Sequence, residues 1–387
     1  MRRAAVVVLL LTIAAYFFLP TPPAFAVEHN LAGSVQLDYH AVPANMTHAR
    51  QSGVPDVLDG FTVEGALKLA ADISDHLSAN VKLCYGCHGF EMDMAYFDLR
   101  AADELNLRVG RFSPSFGSFN LRHDTANHKL SDKPLPYDMG RMLRFAAWNL
   151  SVLPSPFPDN GVEVNGTHWF SEKVDLDYAI YAVSGFKTAS ERPYDLDFFA
   201  SHNPYYVDNN SRPALGSRVA LTVKLGQVSD ATLGGSFMAG TYDPKSKFAY
   251  AIAGSDLVVR VDRTTFRLEY LARRQWFDTS NLALFKYPVG SSDFFTKHGA
   301  FVELEQGVTR ELDLIGRLDG MYRIGNVLLT NELSNKASVG RATLGAAVAV
   351  ERNLRFKGSA ELWVFTDQVG GPHRYEETFH LGAVGSF

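Results

Sequence analysis

The chain has 387 residues, of which 46% are hydrophobic and 12% aromatic, and a formal net charge of −5. That acidic balance argues against nucleic acid as a partner. After residue 26 no run of 18 apolar residues occurs, which excludes transmembrane helices but not strands closed into a barrel, where each backbone amide finds a neighbour.

Residues 1–26 read as a secretory signal. Arg2 and Arg3 form a positive start, 4–19 an apolar core, and Ala24, Phe25 and Ala26 an A-x-A cleavage site. An uncleaved anchor is the alternative; it needs a longer apolar span. Removing the signal leaves 35 basic against 42 acidic residues, a net charge near −7. No low-complexity linker, charge block or helical repeat divides 27–387, so one domain is expected there.

Strand candidates follow at 31–40, 61–73, 77–83, 90–100 and 105–112. Leu105, Leu107 and Val109 alternate with Asn106 and Arg108, the period of a strand with one apolar and one wet face. Alternation is less regular in 90–100, where Met92, Met94 and Tyr96 oppose Ala95, Phe97 and Leu99, and a bulge would account for it. Residues 113–160 form the longest irregular stretch, rich in proline, and so long a segment is expected to be functional or disordered. Beyond it, strands are expected at 162–170, 174–183, 215–225, 231–242, 248–261, 264–277, 298–305, 312–322, 339–350, 354–366 and 378–387.

Sixteen strands joined by alternating short turns and long loops make an even count, with both chain ends on one side. The expected fold is all-β: a transmembrane antiparallel up-and-down β-barrel of about 16 strands, with short periplasmic turns and longer outer loops. A soluble sandwich or eight-stranded shell is the rival architecture. Charges opposite the apolar faces, at Arg100, Arg108, Asp175, Asp177, Arg260, Arg267, Glu269, Asp313, Arg317, Arg355 and Glu361, would line a watery lumen; a generic solvated face is the alternative. Trp169, Tyr178, Trp276, Phe277, Trp363 and Phe387 fall near strand ends and read as interfacial girdle aromatics; packing against a neighbouring subunit is the alternative.

The segment Leu107-Arg108-Val109-Gly110-Arg111-Phe112-Ser113-Pro114-Ser115-Phe116-Gly117, the hairpin rhythm and terminal Phe387 together resemble bacterial outer-membrane porins of the phosphate-selective porin O and P type. The resemblance implies a homotrimer of 16-stranded channels in which the third outer loop, here 113–160, folds into the lumen and narrows it. In that loop Arg122, His123, Asp124, His128, Lys129 and Arg141 are the candidate constriction residues. Because Arg122, Lys129, Lys133, Arg141 and Arg144 are mixed with Asp124, Asp132 and Asp138, the solute stays open. The implied function is passive diffusion of small polar or ionic solutes, with outer-membrane lipids as the surroundings and no enzymatic activity. Neither a G-x-S-x-G nor an H-E-x-x-H motif is present.

One motif stands apart. Cys84-Tyr85-Gly86-Cys87-His88 matches C-x-x-C-H, in which two thiols attach a c-type haem and the histidine, here His88, binds its iron. His123, His128 or Met139 would supply a second axial ligand. This reading gives an outer-membrane redox protein with periplasmic or surface electron-transfer partners, as in porin–cytochrome conduits. The competing reading is a disulfide between Cys84 and Cys87 across a Tyr85-Gly86 turn, and a metal or free-thiol site is a third. His168, His202, His298, His373 and His380 are scattered and read as loop or interface histidines.

Overall fold

The computed structural model describes residues 28–41, 60–86, 89–138, 151–155, 157–188, 207–287, 293–329, 333–368 and 373–387. The expected signal at 1–26 lies outside them. Sixteen strands are present: β1 (Glu28–Ala41), β2 (Gly60–Ser74), β3 (Leu77–Gly86), β4 (Gly89–Ala102), β5 (Leu105–Phe112), β6 (Asp159–Ser171), β7 (Val174–Val183), β8 (Ala214–Lys224), β9 (Asp230–Thr241), β10 (Ala249–Val261), β11 (Thr264–Trp276), β12 (Phe294–Gly307), β13 (Leu312–Gly325), β14 (Leu333–Glu351), β15 (Leu354–Gln368) and β16 (Arg374–Ser386). Each pairs antiparallel with its sequence neighbours, and β1 pairs with β16 to close the cylinder.

Closure is sealed by the last residue. Phe387 and Gly33 exchange two backbone hydrogen bonds of 3.0 Å, and a Cβ at Gly33 would stand 2.5 Å from the Phe387 ring. A closed sheet leaves no edge with unpaired amides, which lipid could not satisfy.

Alternation decides what each face meets. On β11, Glu269, Leu271, Arg273 and Gln275 are buried inside, whereas Leu268 and Tyr270 are 39% and 42% exposed outside. The same holds around the wall: Leu37, Val63, Val109, Val164, Ile180, Val219, Leu233, Leu318, Leu344 and Leu381 all present apolar surface outward. So continuous an apolar exterior exceeds what a water-soluble monomer exposes and matches a lipid-facing belt.

β4 carries the bulge that its irregular pattern implies. Lys82 pairs with Met94 and Leu83 with Met92, leaving Asp93 as the extra residue. The bulge shifts the parity. Before it Phe90 and Met92 are exposed while Asp93 is buried; after it Phe97 and Leu99 are exposed and Asp98 turns inward. Met92 and Tyr96 therefore do not share a face. The expected Tyr85-Gly86 turn is also corrected: Tyr85 pairs with Phe90 and Gly86 with Gly89, so both belong to β3.

Candidate functional site: a charged loop across the barrel interior

The residues after β5 turn inward. Three single 3-10 turns, Asn120–Arg122, Thr125–Asn127 and Leu135–Tyr137, give the segment its only regular structure among the described residues. With so little regular structure, few of its amides are satisfied within the segment, and the wall supplies acceptors for others. Glu163 on β6 accepts from the Ser115 amide (2.9 Å) and hydroxyl (3.1 Å). Ser236 on β9 accepts from the Gly117 amide (3.0 Å). Glu269 accepts from the Ser118 and Phe119 amides (3.0 and 3.1 Å) and from the Tyr137 hydroxyl.

Gly117 permits that approach. It has φ +63°, and a Cβ there would stand 2.1 Å from both a Glu269 oxygen and the Tyr137 hydroxyl. Any other residue would meet strain and a clash together.

Ion pairs hold the loop at opposite walls. Toward β3 and β4, Lys82 Nζ lies 2.8 Å from Asp93 Oδ2, donates to His123 Nε2 (3.0 Å) and pairs with Asp124. Toward β12 and β13, Lys129 lies 2.5 Å from Glu305 and 2.7 Å from Asp313. Asp132 is the hub on the far side. Arg317 donates to its carboxylate (3.0 Å) and carbonyl (3.1 Å), and Arg341 of β14 pairs with the same carboxylate while donating to the Lys133 carbonyl (2.7 Å). Asp319 accepts from the Leu135 amide (2.9 Å), and Lys357 of β15 donates to the Thr125 carbonyl (2.8 Å).

An apolar layer fills the space between these anchors. Phe112, Phe116, Phe119, Leu135, Tyr137, Val152, Leu153 and Phe157 pack as one cluster with Tyr181, Met238, Ile252, Leu271, Phe301 and Met321 of the wall. His128 is buried within the loop, its Nδ1–H donating to the Leu130 carbonyl (2.9 Å). Burial, reinforced by nearby Lys357, holds its pKa well below the ordinary histidine value, so it is neutral.

This architecture has solved counterparts. The outer-membrane channel DcaP of Acinetobacter baumannii matches with a TM-score of 0.56 at 13% identity, covering 94% of this chain and 98% of that one. OmpF of Salmonella typhi, solved with daunomycin, matches at 0.54 with 7% identity, covering 93% and 98%. In-vitro folded OmpT of Vibrio cholerae, in its trimer form, matches at 0.51 with 9% identity, covering 94% and 100%. The chain has the fold of outer-membrane barrels. No protein-family model and no curated protein matches it.

Most of the wall charges expected from sequence take part in the inner network. Arg108 pairs with Asp98 (2.9 Å) and Glu163 (3.3 Å), Arg267 with Glu303 (2.9 Å) and Glu305 (2.8 Å), and Arg355 donates to the Ala126 carbonyl (3.3 Å). Glu361 lies 3.3 Å from Arg341 and 3.2 Å from His380. At the end with the short turns, Asp177 accepts from Thr167 (2.6 Å), Arg260 pairs with Asp230 (2.9 Å), and Arg100 and Asp175 lie away from the loop. Arg141, Arg144, Met139 and His202 lie outside the described residues.

Two girdle expectations fail. Trp363 is fully buried inside, stacked on Phe365 and donating to Glu361 (3.0 Å); Phe277 is buried against Phe285 and Phe295. Trp169 and Phe387 are exposed as expected. Lys82, Asp93, Asp319, Arg341 and Lys357 were not among the lumen-lining charges expected from sequence. For Arg341 and Lys357 the signal exists, since each sits two residues from another inward polar group; for Asp93 the bulge hides it.

Cys87 and His88 lie outside the described residues. Cys84 stands within β3, paired in register with Ala66 and Glu91, and its electrostatic neighbours are Lys82, Asp93, Asp124 and Glu91. These neighbours of Cys84 are ionic rather than apolar.

Proposed function

We propose that the protein is a bacterial outer-membrane porin, a water-filled channel for passive diffusion of small polar or ionic solutes, narrowed by the 113–160 loop. The observation that carries this reading is the loop itself: it crosses the interior of a closed barrel and is fixed to opposite walls by hydrogen bonds and ion pairs. A barrel that served only as a scaffold would have no use for a charged partition inside. On this reading the signal at 1–26 directs export, the inner-wall charges hold water in the bore, and the belt of outward leucines and valines faces lipid. Assembly as a homotrimer belongs to the same proposal and draws support from the trimeric barrel of similar fold.

The test is swelling of liposomes carrying the purified protein. Isotonic solutions of small sugars and amino acids should cause swelling at rates that fall steeply with solute size. Rates equal to those of protein-free liposomes for every solute would contradict the proposal.

A further inference from the structure

The loop's described cations are unequal. Lys129 is committed to Glu305 and Asp313, and Lys133 donates to the Ser155 carbonyl (2.7 Å). The Arg122 side chain makes no hydrogen bond and no ion pair among the described residues; only its backbone amide donates, to the Phe119 carbonyl (2.9 Å). Its guanidinium is instead held by the Phe119 ring, 5.6 Å from the centroid, which fixes the side chain while leaving its donors uncommitted.

Nearby carboxylates are already engaged. Glu305 is shared by Lys129 and Arg267, and Glu269 is taken up by the loop amides and Tyr137. Arg267 itself faces Arg122 as a like charge. Burial, together with that facing charge, lowers the Arg122 pKa to about 10, so the group stays cationic at neutral pH.

We propose that Arg122 sets the ion selectivity of the pore, presenting an uncommitted guanidinium to anions that pass the loop. The inference rests on the channel reading above. A half-desolvated cation with unused donors gains more from a passing anion than a paired lysine does, and it repels cations at the same point. A unit charge about 6 Å from the ion path at water-like dielectric alters the permeability of each ion about threefold, in opposite senses for anion and cation, and so their ratio about tenfold.

The experiment is the reversal potential of the purified protein in a planar bilayer across a potassium chloride gradient. Arg122→Gln should lower the chloride-to-potassium permeability ratio about tenfold, and Arg122→Glu further. Arg122→Lys should keep the wild-type ratio, which a purely structural role of the arginine would not allow. Arg310→Gln, which removes a cation from the exposed turn between β12 and β13, should also keep it. Equal ratios in wild type, Arg122→Gln and Arg122→Glu would overturn the inference while leaving the channel intact, and so would the same loss in Arg122→Lys. A wild-type protein that passes no current would instead overturn the channel reading, and this inference with it.

Discussion

Glu269 reaches three residues of the loop because Gly117 leaves room for it, so one carboxylate and one missing side chain together set how closely the loop meets the wall. Residue type and residue position carry different information here. Trp363 suggests a membrane-interface residue by type, yet its parity with Glu361 and against Leu362 already assigns it to the inside. Asp93 was illegible because a single extra residue reverses the alternation on which such assignments rest. The Cys84-Tyr85-Gly86-Cys87-His88 match is a lesson of the same kind: the spacing is that of a haem motif, but Cys84 belongs to a paired strand among charged neighbours. Purified protein is expected to be colourless. A haem absorption band that persists after denaturation would contradict this.

At the scale of the loop, proline content and length revealed an irregular segment, whereas its anchors depend on strands far away in sequence. Asp132 meets Arg317 and Arg341, which lie 185 and more residues on, and no local pattern pairs them. Removing one partner of a buried ion pair costs about 3–5 kcal/mol, because it strands the others without compensation. Asp132→Asn leaves both arginines facing a neutral amide and should free the loop from β13 and β14. Trypsin should then cut the folded barrel after Lys129 at least about tenfold faster than in wild type. Equal cleavage rates would show that Asp132 does not hold the loop.

For the molecule as a whole, strand number and order were the most legible features. Each of the sixteen expected strands corresponds to an observed one, because a wall with lipid on one side and polar groups on the other writes a period of two into nearly every strand. Loop ends were less legible, since β14 begins at Leu333 and β12 at Phe294, both ahead of the regular alternation. The closed wall, apolar outside and charged inside, and the partition bolted across it have one direct consequence: current should flow through a restricted bore. Single-channel recording of purified protein in a planar bilayer measures it. The account predicts discrete, stepwise conductance increments as barrels insert; a membrane that stays sealed at every applied voltage, with folded protein inserted, would contradict it.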